Sequence, residues 1–221
     1  MIQAIVFDMD GVLIDSEPIY FRANGQMFAK LGVPFGEREI TAMTGANRLT
    51  VAQHIVGWHP HLAPRRDEIA DLYENSLYEG LRAEATGLFP GVLPWIIKAK
   101  DKGMKIAIGS SSSSRMVSFV ADTFGLTHLM DSIVTGEMVQ QGKPAPDIYL
   151  RVSEELGLPP GDCAVIEDSP NGLKAGRAAG MLCVAFHGTN RNHFDLSACD
   201  ASMDAYTDET LDLVIQTRRA T

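Results

Sequence analysis

Ile5-Val6-Phe7-Asp8-Met9-Asp10-Gly11-Val12 decides how the rest of the chain is read. The run from Ile2 to Phe7 is short, apolar and β-branched, as a strand buried on both faces is. Where the apolar residues stop, two carboxylates begin. Residues i and i+2 of an extended chain project to the same side, so Asp8 and Asp10 leave the strand together. Two such charges repel unless a cation stands between them or one keeps its proton. Either arrangement suits phosphoryl transfer, with one carboxylate attacking phosphorus and the other moving a proton. Asp-x-Asp-Gly alone is also an ordinary polar turn, so the remaining sequence has to discriminate.

Working outward, four more strands are expected at Met104–Gly109, Ser132–Thr135, Asp162–Ile166 and Met181–Phe186. Helical patterns lie between them: Leu93, Ile96 and Ile97 before Gly103; Met116, Val117, Val120 and Phe124 before Gly125; Ile148, Val152 and Leu156 before Gly157. This alternation predicts an α/β fold, a Rossmann-like parallel sheet with right-handed crossovers and helices on both faces. One interval breaks it. From Ser16 to Gly87 only helices are expected: a first one with Ser16 or Asp15 at its N-cap and Tyr20, Ala23, Met27 and Leu31 as its buried stripe, then Glu37–Met43, Leu49–Val56 and Arg65–Leu81. The last carries Ile69, Leu72, Tyr73 and Ser76 on one face. The expected organisation is a catalytic core over 1–15 and 88–221, with a helical module, 16–87, inserted after the first strand.

With 45% hydrophobic and 21% charged residues the chain has an ordinary globular composition, and its net charge of -9 argues against nucleic acid as a partner. Cys163, Cys183 and Cys199 show no CxxC spacing, which suits a reducing cytoplasm. No signal peptide or membrane span is expected. The expected partner is a small phosphorylated metabolite, with no nucleic acid or membrane, bound by a monomer.

The polar motifs fall where open α/β sheets bind ligands, beyond the carboxyl ends of the strands. Ile106-Ala107-Ile108-Gly109-Ser110 delivers a hydroxyl to a phosphoryl oxygen, and main-chain N–H groups of the following turn, from Ser111 on, point at the same anion. Ser112 to Ser114 are read as loop and N-cap. Gly142-Lys143-Pro144-Ala145-Pro146-Asp147 offers a lysine just before a helix, where a cation would neutralise nucleophile and phosphoryl group, although a lysine in a Gly/Pro loop taken alone is usually solvated. Val165-Ile166-Glu167-Asp168-Ser169-Pro170 ends another strand in acids; Asp168, Asp8 and the Asp10 carbonyl form a hard oxygen set suited to Mg²⁺. Pro170 marks a helix start.

In order and placement these four motifs resemble the haloacid dehalogenase superfamily, in its phosphatase and β-phosphoglucomutase-like branch with a helical cap, over nearly the whole chain. The resemblance implies an aspartyl-phosphate mechanism: Asp8 as nucleophile, Asp10 as general acid and base, Ser110 and Lys143 on the phosphate. It also implies Asp168 as metal ligand, Glu167 as a direct or water-mediated second acid, and a cis bond before Pro144. The cap would read the leaving group. Glu17, Tyr20 and Asn24 follow the first motif at roughly helical spacing and would face the substrate cavity, with Glu17 as a substrate-binding candidate, although Glu17 also suits a helix N-terminus and Tyr20 a core. Arg48, in Thr44-Gly45-Ala46-Asn47-Arg48, either reaches an anionic substrate group or is solvated. β-Phosphoglucomutase has a histidine where this chain has Tyr20, and a cap lysine; here no lysine occurs between Lys30 and Lys98. A hydrolase is therefore expected, with a phosphosugar mutase and a catalytically silent phosphate-binding regulator as the alternatives. A dehalogenase is not expected, because Asp10 and the Glu167-Asp168 pair are present. His59 and His61 are read as surface residues, and His128, His187 and His193 have no partner at ligand spacing.

Overall fold

A computed structural model describes residues 2–43, 46–84, 87–188 and 195–217. Thr44 and Gly45 of the turn before Arg48, and His193, lie outside the described residues. The chain divides into two compact units, one of residues 1–15 and 87–221 and one of residues 16–86.

The first unit is built on six parallel strands: β1 (Ala4–Phe7), β2 (Lys105–Ser110), β3 (Ser132–Thr135), β4 (Cys163–Glu167), β5 (Leu182–Phe186) and β6 (Ala201–Met203). Their order is β3-β2-β1-β4-β5-β6. The chain steps outward from β1 to β3, then returns to the other side of β1 and steps outward again. Strand order therefore reverses between β1 and β4, which register residue for residue from Ala4 opposite Cys163 to Phe7 opposite Ile166. Strands this apolar bury both faces: β1, β4 and β5 contain no exposed residue. Cys163 and Cys183 are part of that interior, and burial pushes the Cys163 thiol up to about 11. Helices α5 (Val92–Asp101), α6 (Ser114–Thr123), α7 (Asp147–Leu156), α8 (Pro170–Ala179) and α9 (Asp208–Gln216) belong to this unit.

The second unit holds α1 (Glu17–Leu31), α2 (Glu37–Met43), α3 (Arg48–Trp58) and α4 (Arg66–Glu84). Within it α4 packs against α1 and α3. Gly80 of α4 lies where a Cβ would come within 3.0 Å of Ile19 on α1, so its lack of a side chain lets the two helices approach. Phe35 packs its ring against Phe21 and Phe28, fixing the turn after α1.

Several expectations need correction. In α5 the buried residues are Val92, Trp95, Ile96 and Ala99, whereas Leu93 and Ile97 are exposed. The sequence there is nearly all apolar, so its periodicity does not fix the phase. In α1, Ile19, Asn24 and Phe28 join Ala23, Met27 and Leu31 in the interior, and Tyr20 is only half-buried. Ser16 precedes α1 but its side chain makes no capping bond. In α4 Leu77 and Leu81 are buried, while Leu72 and Ser76 are half-buried. Strand β6 and helix α9 were not foreseen. Their attachment is visible in Tyr206, which lies between them: its ring packs on Phe186 and Trp95 and its hydroxyl donates to Val12 O at 2.9 Å.

Candidate active site

Asp8, Ser110 and the Glu167-Asp168 pair arrive at carboxyl strand ends, and Lys143 comes from the loop between β3 and α7. Asp8 follows β1, and its N–H donates to Ile166 O at 3.0 Å, so the β1–β4 ladder fixes its main chain. Beyond it the chain doubles back: Leu13 N donates to Met9 O and Gly11 N to Ile14 O, which turns Asp10 back beside the sheet. Gly11 has φ 74°, and a Cβ there would lie 1.8 Å from Asp168 Oδ2. Its missing side chain is what admits the Asp168 carboxylate.

Lys143 is the hub. Its peptide bond to Pro144 is cis, and its Nζ donates to Asp8 Oδ1 at 2.7 Å, Glu167 Oε1 at 2.6 Å and Gly109 O at 3.1 Å. The side chains of Lys143 and Glu167 are 2% and 0% exposed, so these charges interact with little screening by water. Burial works against the Lys143 ammonium, yet the Asp8 and Glu167 charges outweigh it and hold its pKa above the ordinary lysine value. Burial is also the largest influence on Asp8 and raises its carboxyl to about 7, aided by Glu167 and Asp10 and opposed by Lys143. One ammonium faces two carboxylates, and the surplus of negative charge adds to burial in favouring the protonated form of Asp8.

Glu167 is clasped on both oxygens. Oε1 accepts from Lys143 Nζ and from Tyr149 Oη at 2.6 Å; Oε2 accepts from Asp168 N, Ser169 N and Ser169 Oγ. Tyr149 lies on α7 with its ring 4.9 Å from Lys143 Nζ, and burial, with the charges of Glu167 and Asp8, pushes its phenol well above the ordinary value. It stays a donor. Ser169 also caps α8, accepting from Gly172 N, so the structural reading of Pro170 and the functional reading of the acids share one turn. Gly172 has no room for a Cβ: it would fall 1.8 Å from the Glu167 carboxyl.

On the β2 side Ser110 is buried at the strand end. Its Oγ accepts from Ser112 N at 3.1 Å, which leaves its own proton to be donated elsewhere. Ser111 is half-buried beside it, and Gly136 packs so closely that a Cβ would meet Ser111 O at 2.4 Å. Ser112 donates to Asp10 Oδ2 at 2.6 Å. Ser112, expected in the loop, and Tyr149, without an expected role, both join the site; neither a serine run nor a tyrosine at core spacing carries a distinguishing signal.

The structure thus brings together Asp8, Asp10, Ser110, Lys143, Glu167 and Asp168. Asp8, Glu167 and Asp168 offer carboxylate oxygens lying within 4.8 Å of one another. This all-oxygen set with excess negative charge fits Mg²⁺, although both Glu167 oxygens already accept from protein donors. The helical-unit candidates are placed within that unit: Glu17 and Tyr20 are half-buried on α1, and Arg48 donates to Asp71 Oδ1 at 2.6 Å and approaches Glu74 Oε2 at 3.2 Å. Arg48 is thus ion-paired at the surface of its unit, with its side chain 38% exposed and that of Asp71 66%. His59 is half-buried and His61 exposed. No helix among the described residues is long and apolar enough to cross a membrane.

Comparison with known proteins agrees with this geometry. The family model described as haloacid dehalogenase-like hydrolase matches residues 2–180. Protein CbbY of Cereibacter sphaeroides is 33% identical over 94% of each chain. Hexitol phosphatase B of Escherichia coli (strain K12) is 33% identical, with 83% of this chain and 82% of that protein covered. The crystal structure of β-phosphoglucomutase from Clostridium difficile superposes with a TM-score of 0.84 at 22% identity over 97% of both chains, a likeness of fold. The chain belongs to the haloacid dehalogenase-like hydrolases, among relatives that include named phosphatases.

Proposed function

We propose that this chain is a Mg²⁺-dependent phosphomonoester hydrolase acting on a small phosphorylated metabolite, a sugar phosphate, with the phosphoryl group carried transiently on Asp8. The observation that carries this reading is Lys143 Nζ, held between Asp8 Oδ1 and Gly109 O, next to Ser110. An ammonium there serves the nucleophile and the incoming phosphate at once.

Lys143 occupies Asp8 Oδ1, so attack falls to Oδ2. The Asp8 O–P bond forms as the bond from phosphorus to the leaving alcohol breaks, and Asp10 gives that oxygen its proton. Asp10, now a carboxylate, takes a proton from water as the water oxygen attacks phosphorus. The Asp8 O–P bond then breaks, phosphate leaves, and both aspartates are restored. Splitting the displacement replaces one hard step by two easier ones. General acid–base help of this kind is worth about 10²–10⁴ in rate. Lys143, Ser110 and the main chain at Ser111 hold the phosphoryl oxygens. Asp8, Asp168 and the Asp10 carbonyl would hold Mg²⁺, which when bound screens the anionic nucleophile from its anionic target. Glu167 serves by fixing Lys143.

The hexitol phosphatase relative supports a phosphosugar substrate. The pairing of Arg48 with Asp71 and Glu74, and the absence of lysine from 31 to 97, weigh against a grip on a second phosphate. The test is phosphate release from a panel of sugar phosphates, nucleotides and phosphorylated acids, with Mg²⁺ or a chelator. Release that needs Mg²⁺ and falls to background in Asp8→Asn is expected. A fully active Asp8→Asn variant, or no release from any compound, overturns the proposal. A mutase instead isomerises a glucose 1-phosphate once primed with a bisphosphate.

A further inference from the structure

The turn after β2 is held without the Ser112 hydroxyl. Ser112 N donates to Ser110 Oγ, and Ser112 O accepts from Gly136 N at 3.2 Å. Ser113 occupies the N-cap position of α6 and makes no side-chain capping bond. The Ser112 hydroxyl is thus required neither by the turn nor by the helix, and it reaches across to donate to Asp10 Oδ2 at 2.6 Å, a short O–H···O hydrogen bond. The other oxygen, Asp10 Oδ1, has no hydrogen-bond partner among the described residues.

We propose that Ser112 is a positioning residue for proton transfer: it holds Asp10 through Oδ2 and thereby makes Oδ1 the oxygen that gives and takes the catalytic proton. This rests on the hydrolase reading above. A carboxylate on a single χ2 hinge presents either oxygen in turn, because terminal sp³–sp² torsions are broad. Engaging Oδ2 as an acceptor removes that choice. Oδ1 carries the proton before attack, loses it to the leaving oxygen as the phosphorus–oxygen bond breaks, and regains one from water in the second step. The same turn presents Ser110 to the phosphate, so the phosphate cradle and the proton donor are set by one three-residue segment, Ser110–Ser112.

The test uses aryl phosphates whose phenols range from strongly to weakly acidic, assayed with Mg²⁺ and compared by kcat/KM, which reports the first displacement. A strongly acidic phenol departs with little need of a proton, and a weakly acidic one depends on it. Ser112→Ala is expected to lose about tenfold or more on the weakly acidic phenols and little on the most acidic one, with KM nearly unchanged. Ser112→Thr, which keeps the hydroxyl, restores the wild-type profile. In an Asp10→Asn background Ser112→Ala has no further effect, whereas a merely structural role gives losses that add. An equal loss across the series, no loss, additive losses, or a threonine variant that behaves like alanine overturns the inference. Asp8→Asn in the same assays separates the two readings. If it retains turnover the hydrolase mechanism fails; if it is dead and the Ser112 results are those just named as contrary, only the role of Ser112 falls.

Discussion

Replacing Glu167 by glutamine changes one oxygen to an NH₂ group and leaves the shape alone, so it tests whether the buried network has the polarity described. The side chain is 0% exposed and its oxygens accept from five protein donors. A carboxamide fits only one of the two sides. With NH₂ in the place of Oε2, it faces the main-chain N–H groups of Asp168 and Ser169, neither of which can turn away. With NH₂ in the place of Oε1, it faces the Lys143 ammonium, which has no acceptor lone pair. Either orientation also removes one of two anionic partners of a buried ammonium. Breaking a buried ion pair from one side destabilises by about 3–5 kcal/mol, a large share of the roughly 5–15 kcal/mol of a native protein. At about 2–4 °C per kcal/mol for a chain of this length, the midpoint falls by roughly 10 °C. The two compact units need separate reporters. Trp95 lies in the core unit and Trp58 in the helical one, so urea unfolding followed by fluorescence in a Trp58→Phe background isolates the core. A chelator keeps metal out of the comparison. A change below about 1 kcal/mol would refute the reasoning, for it would mean that the donors around Glu167 find water as readily as they find the carboxylate.

Gly11→Ala places a methyl group 1.8 Å from Asp168 Oδ2 on a backbone with φ 74°; the Asp168 carboxylate has to move, and the midpoint rise produced by excess Mg²⁺ is expected to shrink to less than half of the wild-type rise in thermal denaturation, an unchanged rise being the contrary result. Stability should also depend on pH through Asp8. Its folded pKa is about 7 against a reference of 3.8, so between those values the native state holds a proton that the unfolded chain releases. Stability from this group therefore declines as pH rises through that window, by about 4 kcal/mol in all. Lys143, raised in the folded state, titrates far above the window and adds no slope there. Chelated wild-type protein is expected to lose stability from pH 4 to 7 relative to Asp8→Asn, and excess Mg²⁺ to flatten that difference; parallel curves without metal would contradict it.

Much of the core was legible because each polar motif interrupts an apolar strand. Asp8, Ser110 and Asp168 announce themselves at the ends of β1, β2 and β4, and a parallel sheet with short connections leaves such residues few places to go. Lys143 was legible only from the order of the motifs around it, since a lysine in a Gly/Pro loop taken alone reads as solvated. What failed is where sequence carries no phase. Val92-Leu93-Pro94-Trp95-Ile96-Ile97 is apolar on every side of its helix, so the exposed Leu93 and Ile97 looked as buried as Trp95. Five successive serines cannot say which hydroxyl reaches Asp10. β6 is three residues long, too short for alternation to register. For α9 a signal exists in the sequence, since Thr207 and Thr210 form a capping box ahead of buried Leu211 and Val214.

The bond from Tyr206 to Val12 O joins positions 194 residues apart. Closing so long a loop costs entropy that one hydrogen bond does not repay, so the bond depends on the sheet that carries both of its ends. The brace on the turn bearing both aspartates therefore shares the fate of that sheet and is lost when the sheet unfolds.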